Sequence, residues 1–101
     1  MVVVTRSDVT RSETRVAVSV LEAVADPVRW SVLAHLSSTP CCVCEIQRQV
    51  TIAPSLLSYH LKVLREAGLV VATRRGRWID YALADDAHDR LVLALPTMVR
   101  G

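Results

Sequence analysis

The sequence has no apolar run long enough to cross a membrane. Its Val2-Val3-Val4 stretch is too short for the core of a secretory signal, and no basic segment precedes it. A cytoplasmic protein with no membrane partner is therefore expected. Glycine is scarce, with 3 in 101 residues, and no Gly-rich phosphate loop can be drawn from them. There is no plausible Ser/His/Asp set and no pair of carboxylates in a cleft-forming context, so an enzyme is not expected. Internal repeats and low-complexity segments are also missing. Cysteine is confined to Cys41, Cys42 and Cys44, an odd count too tightly spaced for a disulfide framework. In a reducing compartment such a cluster points to metal or redox chemistry. What is present is one small domain, 51% hydrophobic and so able to bury a modest core.

The net charge of +2 says little until it is placed along the chain. Residues 1–47 are slightly acidic, and so are residues 78–101. Between them Arg48, Lys62, Arg65, Arg74, Arg75 and Arg77 face only Glu66. Segregated positive charge of this kind is the electrostatic footprint of a nucleic-acid binder.

The basic block contains the stretch on which the chain is organised, Pro54 to Gly68. Leu57, Leu61 and Leu64 recur at helical spacing and form an apolar stripe. Ser55, Ser58, Tyr59, Lys62 and Glu66 form a second stripe, whose short hydroxyls allow close approach to a base edge or phosphate. Pro54 suits the first turn of such a helix and Gly68 the left-handed position past its end. Upstream, residues 1–12 read as a flexible N-terminal arm, followed by a domain over 13–101. Helices are expected over about 13–25 (Val16, Val20, Val24, Leu21), 27–36 (Val28, Val32, Leu33, Leu36, with Asp26 as cap) and 43–50 (Ile46, Val50). Thr51-Ile52-Ala53 then forms the turn of a helix-turn-helix.

After Gly68 the period changes. Residues 69–74 are β-rich, and Ile79, Tyr81 and Leu83 alternate onto one side of the 78–83 segment. Arg74-Arg75-Gly76-Arg77 joins the two as a hairpin tip with no nearby acid, and a last helix starts near Asp85. The fold expected is mostly α with a β-hairpin wing, a winged helix-turn-helix. Ser55, Ser58 and Tyr59 are the candidate base readers; Lys62, Arg74, Arg75 and Arg77 are the candidate phosphate contacts, all on duplex DNA. Winged helices also serve protein–protein contacts, but the basic block argues against that use here.

Ala25-Asp26-Pro27-Val28-Arg29, the run from Ser58 to Val70, and Gly76-Arg77 followed by Tyr81 and Leu83 together resemble the ArsR/SmtB family of bacterial winged-helix metal-sensing repressors. The resemblance covers roughly residues 16–95. It implies a homodimer joined through the first and last helices, operator binding without ligand, and release when a metal ion binds. The arsenic-responsive branch of the family is similar at Cys42, Val43, Cys44 and Glu45. That similarity implies As(III) or Sb(III) as inducer, held by Cys42 and Cys44, with Cys41 as a third thiolate and Gln47 standing where some members have a further cysteine. Thiolates select soft ions in general, so Cd(II), Pb(II) or a thiol redox switch on the same cysteines are the alternatives. On a regular helix positions 42 and 44 point about 200° apart, so a shared ion is expected to unwind the first turn of the third helix. Asp86 and His88 read as capping and surface residues, and His60 as a packing or phosphate-contacting residue.

Overall fold

The computed structural model describes residues 7–96. Helix α1 runs Ser7–Val24, α2 Pro27–Leu36, α3 Val43–Gln49, α4 Pro54–Glu66 and α5 Ala87–Ala94. Three short strands complete the fold: β1 Cys41–Cys42, β2 Val70–Arg75 and β3 Trp78–Leu83. They form one antiparallel sheet in the order β1-β3-β2.

The helix starts follow from local chemistry. The Asp26 carboxylate accepts from the backbone N–H groups of Val28 at 2.9 Å and Arg29 at 3.1 Å, and Pro27 fills the first turn. These bonds to the ionised form, that of Arg29 foremost, hold the Asp26 carboxyl below its ordinary range. Pro54 opens α4 in the same manner. Gly68 closes it with φ +78°, and the Leu69 N–H reaches back to the Leu64 carbonyl at 3.1 Å. Gly76 carries φ +63° at the first position of the β2–β3 loop, the type II′ arrangement that matches hairpin twist.

Leu57, Leu61 and Leu64 project into the centre with Val32, Ile46 and Leu69, each no more than 1% exposed. Val20, Ala23, Leu36, Val50, Val70, Tyr81 and Ala87 complete this core. The wing leaves it quickly: past Val70, every residue of β2 is exposed, while β3 keeps Tyr81 buried.

Val16 is 62% exposed, because α1 turns its stripe partly away from the rest of the chain. Three expectations need revision. Residues 7–12, assigned by sequence to an arm, are helical, so α1 begins six residues earlier than expected; residues 1–6 of that arm lie outside the described residues. Strand β1 has no counterpart among the expected elements; it pairs Cys41 with Tyr81 and Cys42 with Asp80. Asp86 occupies the N-cap position of α5 but makes no side-chain cap bond, accepting instead from Arg90 at 3.1 Å.

Candidate nucleic-acid interface and cysteine site

Helix α4 separates its two stripes as its sequence requires. The leucine stripe is buried, while Ser55, Ser58, Tyr59 and Lys62 are all exposed on the other side. Tyr59 is 55% exposed and meets His60 edge-on with ring centroids 5.3 Å apart. The turn into this helix is held by Gln47, whose Nε2 donates to the Ile52 carbonyl at 2.6 Å. That role is legible only once the turn is folded, since glutamine at that position carries no signal of its own. His60 is 6% exposed and takes the packing role expected for it, with Nδ1 2.9 Å from an Arg29 Nη1.

The wing differs from the sequence reading in one respect. The arginines of its tip do have an acid beside them. Arg75 donates to both carboxylate oxygens of Asp80, from Nε at 2.7 Å and from Nη2 at 3.1 Å. The hydrogen bonds from Arg75 hold the Asp80 carboxyl below its usual range, and the same pairing raises the guanidinium above its own. Arg75 is thus committed to its own hairpin. Arg74 folds toward the turn, donating to the Gly76 carbonyl at 3.3 Å. Arg77 and Lys62 make no hydrogen bond or ion pair among the described residues, which leaves both free to meet a phosphate.

The cysteines sit on the junction of β1 and α3. Cys42 is the N-cap of α3 with an extended backbone (φ −78°, ψ 165°), not a helical residue. Its side chain therefore does not follow helical rotation, and it meets that of Cys44: the two are joined as a disulfide with Cα atoms 5.4 Å apart. This corrects the expectation that the two thiols diverge by helix geometry and that the first turn must unwind to unite them. The cluster accordingly holds one adjacent pair rather than a bridge between distant segments. Cys41, the preceding strand residue, packs against the core instead. Burial, then the charges of Glu45 and Asp80, push its thiol up, which disfavours its thiolate form. Among the described residues no three His, Cys, Asp or Glu side chains are gathered closely enough to hold a metal ion, Asp86 and His88 included.

Between α1 and α5 lies an open groove of about 660 Å³ lined by Val16, Ala17, Val20, Leu93 and Ala94. Leu93 is 82% exposed, and Val92 and Leu95 are exposed beside it. No described helix is long and apolar enough to cross a membrane.

Comparison with known proteins agrees with this architecture. Residues 26–71 match the family described as bacterial regulatory protein, arsR family. The HTH-type transcriptional repressor SmtB of Mycobacterium tuberculosis is 38% identical over 73 residues, covering 72% of this chain and 54% of that protein. The chain thus spans about half the length of that curated relative. A crystal structure described as a possible transcriptional regulator for arsenical resistance superposes with a TM-score of 0.69 at 32% identity, over 73% of this chain and 77% of the other. A homodimeric winged helix-turn-helix DNA-binding domain, Mb0332 from Mycobacterium bovis, superposes with a TM-score of 0.71 at 25% identity, over 87% and 80% of the two chains.

Proposed function

Because the chain belongs to the ArsR family of bacterial regulatory proteins, we propose that it is a cytoplasmic DNA-binding repressor, acting as a homodimer and released from its operator by As(III) or Sb(III). In this reading Ser55, Ser58 and Tyr59 meet base edges, and Lys62, Arg74 and Arg77 meet phosphates. Arg75 acts mainly by holding the wing in shape. The exposed valines and leucines of α1 and α5 supply the self-association surface. Two copies related by a two-fold axis then present their α4 helices to successive major grooves about 34 Å apart.

The observation that carries the reading is the position of Cys42. Reduced, Cys42 and Cys44 are a dithiol already gathered at the start of α3, a donor pair suited to a soft ion. An ion bound there supplies bonds to both thiolates. Cys41 is the third thiol in the neighbourhood, and it becomes a ligand only if β1 gives up its pairing with Tyr81. Strand β1 is two residues long, so disturbing Cys42 disturbs half of it. The residue opposite Cys42 is Asp80, whose carboxylate fixes Arg75 on the wing. A change at the cysteines thus has a short path to the wing, and an inducer needs to favour the altered shape by only a few kcal/mol to empty the operator.

A second reading has its own observation. The Cys42–Cys44 bond is the oxidised product of that dithiol, so the same scaffold serves as a thiol redox switch. Cd(II) and Pb(II) are other soft ions for the pair.

One experiment separates these. A duplex selected from a random pool by the reduced protein is titrated with and without arsenite, and with an oxidant, using wild type and a Cys42→Ser/Cys44→Ser variant. Release of wild type by arsenite, with the variant staying bound, supports the arsenic reading. Release by oxidant alone supports the redox switch. If neither agent releases the wild type, the arsenic and redox readings both fail.

A further inference from the structure

Arg29 lies between three elements. Its Nε donates to the Ala23 carbonyl at 2.7 Å and its Nη2 to the Glu22 carbonyl at 3.3 Å, both in the last turn of α1. Its Nη1 lies 2.9 Å from His60 Nδ1 on α4. A guanidinium has only donors, so Nδ1 is the acceptor and the ring proton sits on Nε2. Asp26 completes the group: its carboxylate takes the Arg29 backbone N–H and stands 3.9 Å from Nδ1. One side chain therefore bonds two carbonyls at the end of α1, that of Glu22 shared with the Ala25 N–H, and also fixes a buried ring on α4. Planar, divergent donors make this arrangement specific to arginine; a lysine ammonium is a single point of contact.

We propose that Arg29 and His60 are positioning residues that set the angle of α4 against α1. The proposal rests on the DNA-binding homodimer reading above. In that dimer α1 is fixed by the partner and α4 by the groove. The Arg29–His60 contact then determines how far apart the two α4 helices stand, and so which half-site spacing the protein accepts. His60 faces away from the bases and contributes to recognition only through this geometry.

The test measures affinity for the selected duplex and for versions with one base pair added or removed between the half-sites. Variants are His60→Leu, which fills the space without an acceptor, His60→Asn, whose amide oxygen can stand in for Nδ1, and Arg29→Lys. Wild type is expected to lose about tenfold or more on a one-base-pair change, since that rotates one half-site by about a tenth of a turn. His60→Leu and Arg29→Lys, still dimeric, are expected to bind the best duplex several-fold more weakly and to discriminate spacing at least threefold less. His60→Asn should restore the discrimination. If His60→Leu does not fold, Arg29→Lys reads the same property. Unchanged discrimination in either folded variant, or no rescue by His60→Asn, overturns the positioning role while leaving the DNA-binding reading intact. A wild type that binds no duplex overturns both. The ring nitrogen spectrum of His60, expected to show an unprotonated Nδ1 that shifts in Arg29→Lys, checks the contact independently of DNA.

Discussion

Arg75 and Asp80 face each other across the wing, the guanidinium donating at 2.7 and 3.1 Å to the two oxygens of one carboxylate. A cation so engaged has less to offer a phosphate than a free one. Removing a cation that neutralises one phosphate should lower the slope of log affinity against log salt by about 0.9. Arg77→Ala is expected to produce that drop, and Arg75→Ala a clearly smaller one. Asp80→Asn should free Arg75 and steepen the slope. Titrations of duplex binding across a salt series check all three, and equal drops for Arg75→Ala and Arg77→Ala would refute the assignment.

The same ion pair has a pH signature. The carboxyls of Asp80 and Asp26 are both held below their ordinary range, the first by Arg75 and the second chiefly by the Arg29 backbone N–H. A carboxyl lowered in the folded state contributes stability that is complete above its unfolded value. That stability disappears as the pH falls through the folded value. Melting temperature should therefore be flat near neutrality and fall below about pH 4. The Asp26→Asn/Asp80→Asn variant should start lower and lose less. Thermal melts across that range are the check; an acid limb of unchanged depth in the variant would assign the loss to other carboxylates.

The two left-handed glycines should respond unequally to alanine. Both would incur the cost of a left-handed L-residue, roughly 1–2 kcal/mol. A Cβ at Gly76 meets nothing within 4 Å, whereas one at Gly68 would stand 2.9 Å from the Arg90 guanidinium carbon. Gly68→Ala is expected to move the Arg90 guanidinium and break its bond to Asp86, so that it destabilises slightly more than Gly76→Ala in denaturant unfolding. Equal losses would mean that the flexible Arg90 side chain swings aside at no cost.

Adjacent faces of α4 should separate stability from binding. Leu61 is 1% exposed, and Leu61→Ala should cost about 2–5 kcal/mol of folding stability. Tyr59→Ala, on the exposed face, should change stability by within about 1 kcal/mol and weaken duplex binding severalfold. Unfolding curves and binding isotherms on the two variants test this; a Tyr59→Ala protein that binds duplex normally would remove Tyr59 from the interface.

Much of this architecture is legible in the chain because it rests on local periodicity and end signals. The leucine stripe, Pro54 and Gly68 define α4 without reference to any other segment, and Asp26-Pro27 does the same for the start of α2. Strand β1 has no such signal: two residues show no period, and Cys41–Cys42 become a strand only because β3 lies beside them. The geometry of Cys42 and Cys44 escapes a sequence reading for that reason, since position 42 is extended where helical rotation is expected. Arg75 and Asp80 come together through hairpin register. With Arg75 opposite Trp78, Asp80 is the diagonal neighbour, a relation readable only after the loop length is fixed. The Arg29–His60 contact joins residues 31 apart, and neither residue type announces it.

In the order β1-β3-β2, the wing's outer strand β2 is an open edge among the described residues, and Val71 on it is 47% exposed. An unprotected edge of this kind invites pairing with the same edge on another molecule. Arg74 lies on that edge and Arg77 in the loop at its end, so two wings approaching side by side bring like charges together. The arginines that suit the wing to DNA thereby also keep the free protein from assembling strand to strand. Neutralising them together should cost solubility before it costs fold, with aggregation increasing with protein concentration.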